Sequence, residues 1–132
     1  MEDVIDRILA ESKTVAVVGL SDRPDRPSYD VARYLQEAGY RVIPVNPNVH
    51  EVLGEPSYGD LTEIPGEVDL VDVFRKPEFV PGIATEAIRI GVKSFWMQEG
   101  IVSGWARDEL AAAGISVVMD RCVKKELAKR RR

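Results

Sequence analysis

The chain is predicted to form a three-layer α/β fold, a doubly wound sheet of five parallel strands in the order 3-2-1-4-5. Three observations predict it. Apolar, β-branched runs alternate with amphipathic helical patterns along all 132 residues. Three helical patterns end in a glycine (Gly39, Gly91, Gly114) and pass straight into an apolar run, the helix-to-strand link of a parallel sheet. The first apolar run, Thr14–Val18, stops at Gly19, and a polar loop holding Pro24 and Pro27 leads into a helix. Strand, tight turn and helix in succession make an anion site, because the turn lets backbone approach the ligand and the helix N-terminus attracts negative charge.

Each element has its own justification. Residues 2–12 place Val4, Ile5, Ile8 and Leu9 on one helical face. The first strand is Thr14–Val18. A helix over 28–38 puts Val31, Leu35 and Ala38 in one stripe and stops at Gly39. The second strand is Arg41–Val45, where Pro44, lacking an N–H, argues for an edge or a strand end. Residues 48–67 are irregular, with a turn of helix near 60–64. The third strand is Val68–Phe74. The next helix starts between Pro77 and Pro81 and buries Val80, Ile83, Ala84, Ala87 and Ile88. The fourth strand is Val92–Met97. Ser103 is an N-cap for a helix over 104–113, the fifth strand is Ile115–Met119, and a basic helix over 121–129 closes a single Rossmann-like domain.

Composition narrows the function. A net charge of −4 and 30% charged residues describe a solvated globular surface, with no global pull toward nucleic acid. One cysteine excludes an intrachain disulfide, and one histidine disfavours a multi-histidine metal site or a Ser-His-Asp hydrolase. The N-terminus lacks a signal-peptide core and no apolar run spans a bilayer, so no membrane is expected and the cytoplasm is the expected location.

In an open parallel sheet the ligand lies beyond the strand C-termini, at the point where strand order reverses. In the predicted order that point falls between the first and fourth strands, at Gly19-Leu20-Ser21 and Met97-Gln98-Glu99-Gly100. Asn46-Pro47, Phe74-Arg75-Lys76-Pro77 and Asp120-Arg121-Cys122 end the neighbouring strands. A dinucleotide site requires G-x-G-x-x-G after the first strand and an acidic residue after the second. Here one glycine is followed by Ser21, Asp22, Arg23 and Pro24, and the second strand ends in Asn46. Both departures argue against NAD. They suit a nucleotide whose ribose carries a phosphate: coenzyme A, or less closely NADP.

Ala16-Val17-Val18-Gly19-Leu20-Ser21, Arg26-Pro27-Ser28, Val45-Asn46-Pro47, Asp72-Val73-Phe74-Arg75 and Asp120-Arg121-Cys122, in that order, resemble the small stand-alone CoA-binding proteins. These are similar to the N-terminal domain of the succinyl-CoA synthetase α subunit, and the resemblance spans nearly the whole chain. It implies that the loop Ser21–Arg26 holds the CoA phosphates. Asn46 and Pro47 would line the adenosine end, and Phe74, Arg75 and Pro77 would flank adenine and ribose. Met97, Gln98 and Glu99 would sit on the pyrophosphate and pantetheine side. The synthetase's phosphorylated histidine belongs to a second domain absent from this sequence, and His50 reads as a surface loop residue.

Arg23, Arg26, Arg75 and Lys76 are the candidate phosphate partners, Arg26 foremost because prolines flank its loop and a helix starts just after it. Phe74 reads equally as an adenine platform and as a core cap. Trp96 is expected inside the sheet, and Trp105 in the core or at an interface. Cys122, beside Arg121 near the mouth of the site, is a candidate for a mixed disulfide with the CoA thiol; a buried apolar cysteine is the plainer reading. The basic stretch Lys124–Arg132 reads as a solvated helix end. The sequence therefore points to a module that binds coenzyme A or an acyl-CoA without catalysis, with partly apolar helices offering a homodimer surface. An NADP-linked reductase, a small acyl-CoA-transforming enzyme and an interaction protein with a vestigial site are the alternatives.

Overall fold

The structure is a computed structural model that describes residues 1–131; Arg132, the end of the basic tail, lies outside the described residues. Helix α1 (Glu2–Glu11) precedes strand β1 (Thr14–Val18), followed by α2 (Pro27–Glu37) and β2 (Arg41–Val45). A two-residue hairpin, β3 (Glu51–Val52) and β4 (Glu55–Pro56), and a 3-10 turn at Leu61–Glu63 lead to β5 (Leu70–Val73). Then come a 3-10 turn at Pro77–Phe79, α3 (Val80–Ile90), β6 (Ser94–Met97), α4 (Gly104–Ala112), β7 (Ser116–Val118) and α5 (Val123–Arg130). Gly39, Gly91 and Gly114 all have positive φ, as the helix-ending glycines require. No described helix is long and apolar enough to cross a membrane.

The five-stranded sheet is parallel throughout, and its order is β2-β1-β5-β6-β7. The fold class is as expected, but the order 3-2-1-4-5 is not. The third main strand lies beside β1, on the side away from β2, so the order is 2-1-3-4-5 in terms of the five strands read from the sequence. The cause is the face on which each connection packs. Val31, Ala32 and Leu35 of α2 join Ile5, Ile8 and Leu9 of α1 and Val123 and Leu127 of α5 on one face. Leu61, Ile64 and Val68 of the next connection join α3 and α4 on the other. Right-handed crossovers on opposite faces advance in opposite directions. The chain leaving β2 therefore travels back past β1, and α3 and α4, on that same face, carry it onward to β6 and β7. The reversal point moves accordingly: it lies between β1 and β5, not between β1 and the strand ending at Met97.

Pro44 is on an edge strand, as its missing N–H demands. Its carbonyl accepts from the Tyr58 amide at 3.1 Å, and the Asn46 amide donates to the Tyr58 carbonyl at 2.8 Å. At the other end of the sequence the basic helix is neutralised internally. Lys124 pairs with Asp30 at 2.8 Å and Lys125 with Glu99 at 3.1 Å, while Arg130 reaches Glu126, Glu2 and Asp6. This is the solvated, dipole-complementing helix end expected, with the addition that it clamps α1 to α5. Trp96 is fully buried, its indole N–H donating to the Arg121 carbonyl at 2.8 Å. Trp105 is 54% exposed on α4 and belongs to no core.

At the reversal point the two central strands meet closely. The Phe74 amide donates to the Val18 carbonyl at 2.8 Å, and on the other flank of β1 the Gly19 amide donates to the Val45 carbonyl of β2 at 2.9 Å. Gly19 has φ +88°, and a Cβ there would lie 2.4 Å from the Phe74 carbonyl oxygen. Both backbone conformation and space reserve this position for glycine. Gly19→Ala is expected to lower stability by about 2 kcal/mol or more, combining left-handed strain with a backbone clash. Gly39→Ala, at φ +103° but with open space around it, should lose only the strain component. Chemical denaturation of the two variants separates these contributions.

One buried group stands apart. Asp72 is fully buried in β5, level with Val17 and Trp96 on the flanking strands, and neither carboxyl oxygen has a partner. Burial pushes its carboxyl well above the ordinary range, because nothing offsets loss of hydration by the charged form. With the folded value above the unfolded one, its favourable contribution is complete below about pH 3.9 and is lost as pH rises through the folded value. Asp72→Asn should therefore gain in stability relative to the parent as pH rises from about 4 to about 8. Thermal unfolding of both proteins across that range measures it; parallel pH profiles would refute it.

Candidate functional site

Three hollows lie along the C-terminal ends of the strands. The first, about 260 Å³, is bounded by Val18 and Val45 at the ends of β1 and β2, by Pro47 and Asp60, and by Arg75, Phe79, Ile83 and Glu86. The second, about 320 Å³, lies between Gly19, Ser21, Arg23, Arg26, Pro27, Ser28 and Phe74. The third, about 450 Å³, is lined by Pro27, Val31, Phe74–Pro77, Gln98, Glu99, Ile101 and Cys122. Arg75 borders the first and third, and Pro27 and Phe74 border the second and third. Together they outline an extended site centred on the reversal point, where such sheets bind ligands.

The second hollow has the features of an anion site. Pro27 occupies the first turn of α2, fixing its φ without costing a hydrogen bond. No side chain caps this helix. The Ser28 hydroxyl, buried at the second position, accepts instead from the Ser21 amide at 3.0 Å, and the Ser21 hydroxyl accepts from the Arg23 amide at 3.1 Å. The loop is thus folded over the helix start, leaving the positive end of the dipole toward the hollow. Arg26 is the N-cap residue and is exposed; Arg23 is exposed and 3.6 Å from Asp25.

The sequence-predicted residues separate into two groups. Gly19, Ser21, Arg23, Arg26, Pro47, Phe74, Arg75, Pro77, Gln98, Glu99 and Cys122 all line one or more hollows. Leu20, Met97 and Asn46 line none of the three. Leu20 and Met97 are fully buried in the two core layers. Asn46 is occupied as a brace: its side-chain amide donates to the Leu20 carbonyl at 3.0 Å, and its oxygen accepts from the Asn48 amide at 2.9 Å. It joins the loop after β2 to the loop after β1. The Arg75 guanidinium lies 4.2 Å from the centre of the Phe79 ring, which fixes it between two hollows. Arg121, expected to act on the neighbouring thiol, instead pairs with Glu2 at 2.9 Å and Glu126 at 3.6 Å. His50 is exposed.

Several lining residues escaped the sequence reading. Pro27 and Ser28 were visible in the Arg26-Pro27-Ser28 motif but read only as a helix start. Phe79, Asp60 and Glu86 carried no local signal, since three separate segments bring them together. Their presence changes one inference. The second strand indeed ends without a carboxylate, but Asp60 and Glu86 bring two into the adjoining hollow. Burial raises the Glu86 carboxyl and Asp60 raises it further, opposed by the Leu61 amide, which donates to it at 3.0 Å, and by Arg89.

Known proteins share both sequence and fold with this chain. An uncharacterized protein of Bacillus subtilis, YneT, is 48% identical over 120 residues, covering 91% of this chain and 89% of that protein. The α subunit of an ADP-forming acetate–CoA ligase II of Pyrococcus furiosus is 40% identical over 80 residues, which are 60% of this chain. This chain spans only 12% to 20% of the length of the ligase sequences it matches. A solved hypothetical protein from Pyrococcus horikoshii superposes with a TM-score of 0.94 at 36% identity, covering 98% of this chain and 91% of that one. The family model for a CoA binding domain matches residues 13–128, which hold the entire sheet, α2 to α4 and most of α5. The chain belongs to the CoA-binding domain family.

Proposed function

We propose that this protein binds coenzyme A or an acyl-CoA along the C-terminal edge of its sheet, as a binding module without catalysis of its own. The observation that carries this reading is the set of three neighbouring hollows, with an uncapped helix N-terminus and Arg23 and Arg26 at the second one. Coenzyme A has three chemically distinct parts, one suited to each hollow. Its pyrophosphate suits the α2 N-terminus and the two arginines. Its adenosine suits the hollow with Pro47, Phe79 and Arg75, where Asp60 and Glu86 can accept from the adenine amine. Those carboxylates repel phosphate, so the 3′-phosphate belongs at the open rim. The pantetheine arm suits the third cavity, whose walls include Val31, Phe74, Pro77 and Ile101.

Family membership supports the ligand. The non-catalytic role rests on residue content: the sole histidine is an exposed loop residue, and the described residues include no cluster able to hold a metal. The ligase chemistry of the longer relatives involves whole proteins of which this chain matches a minor part.

Titration calorimetry with CoA, dephospho-CoA and NADPH tests the reading. We expect a CoA dissociation constant of about micromolar, weaker binding of dephospho-CoA, and no binding of NADPH. Arg26→Ala should weaken CoA by about tenfold, the size of one charge-assisted phosphate contact. Binding of NADPH without CoA would replace this reading with a reductase, and absence of all binding would mean a vestigial site.

A further inference from the structure

We propose that Asp120 is the positioning residue of the pantetheine end of the site, acting through the turn at 98–101. The inference rests on the CoA reading of the site. Asp120 follows β7 and has φ +58°. Among the described residues only Leu53 shares a positive φ without being glycine, and Leu53 belongs to the tight turn of the β3–β4 hairpin, which demands it. β7 runs parallel to β6 and ends in no such hairpin. Glycine would adopt the Asp120 conformation freely, so what aspartate adds at this position is its side chain. That carboxylate accepts from the Gly100 amide at 2.7 Å, joining the loop after β7 to the loop after β6.

The turn held in this way is a wall of the third hollow. The Ile101 amide donates to the Gln98 carbonyl at 2.9 Å, and Gly100 closes the turn at φ +81°. Gln98, Glu99 and Ile101 line the hollow, and Asp120 does not. The segment after β7 fastens the turn at three points. Asp120 holds the Gly100 amide, the Val123 amide donates to the Gln98 side-chain oxygen at 3.2 Å, and Lys125 donates to both Glu99 oxygens at 3.1 Å. Of these three ties, the one to Asp120 holds the backbone of the turn. A wall fixed before the ligand arrives spares the ordering cost that binding would otherwise carry. The first and second hollows are lined by no residue of 98–101 or 120–125. Loss of the tie therefore weakens the pantetheine contact and leaves the nucleotide end unchanged.

Titration calorimetry with two ligands tests this: CoA, and adenosine 3′,5′-bisphosphate, which lacks the pantetheine arm. Asp120→Gly removes the carboxylate and suits the backbone, so the variant folds; its thermal unfolding checks that it does. Its CoA dissociation constant should rise about five- to tenfold, the size of a turn that must now order on binding, while that of the bisphosphate stays at the parent value. Asp120→Asn keeps an acceptor oxygen on a side chain that tolerates this conformation, and should bind both ligands as the parent does. CoA bound by Asp120→Gly as tightly as by the parent would overturn the inference alone. So would equal losses for the two ligands, or a loss in Asp120→Asn matching that in Asp120→Gly. Failure of the parent to bind CoA would overturn the reading of the site, and the inference with it.

Discussion

The close meeting of β1 and β5 at Gly19 governs the rest of the molecule. These two strands send their following segments to opposite faces of the sheet, and the candidate site is the gap that opens above them. The gap has to be narrow at its base, because the Phe74 carbonyl lies where a Gly19 side chain would be. That closeness brings the β1 loop, with its helix N-terminus, against Phe74 and Arg75. A larger residue at Gly19 would separate the arginine from the anion-binding loop. Packing in both layers then follows from the alternation along the strands: Ala16, Val18, Val71 and Val73 face one set of helices, and Val15, Val17 and Leu70 face the other.

Charge is distributed around this site in a consistent way. An acidic protein must offer an anionic ligand a locally favourable surface. It does so by pairing α5's cations with Asp30, Glu99, Glu2 and Glu126 and by leaving Arg26 and the α2 N-terminus available. Arg75 occupies the junction of the hollows and is held by the Phe79 ring instead of a carboxylate.

Much of this was legible in the sequence, because most of the signals are local. The glycines after three helices, the apolar periodicity and the position of Pro44 each reflect a backbone requirement that neighbouring residues express directly. Strand order was not legible. It depends on which face the segment after β2 covers, and the apolar residues that decide it, Leu61, Ile64 and Val68, are spaced irregularly through a stretch without a full helix. The hollows followed the same division. Residues immediately after strands line them because the fold places such residues at one edge whatever the order. Asp60, Phe79 and Glu86 join them because the observed order brings their segments together. Position along the chain does not reveal that Leu20 and Met97 turn inward or that Asn46 braces a loop.

The closed outer edge of β2 has a consequence for how this protein behaves among copies of itself. A sheet edge is a template on which another strand can assemble. Pro44 removes one donor from that template, and the Tyr58 backbone already occupies its upper half. Extension of the sheet into a fibre would have to displace that segment, which also forms one wall of the first hollow through Gly59 and Asp60. The peptide that shapes the first hollow is thus also a guard against aggregation, and substitutions there bear on solubility as well as on the shape of that hollow.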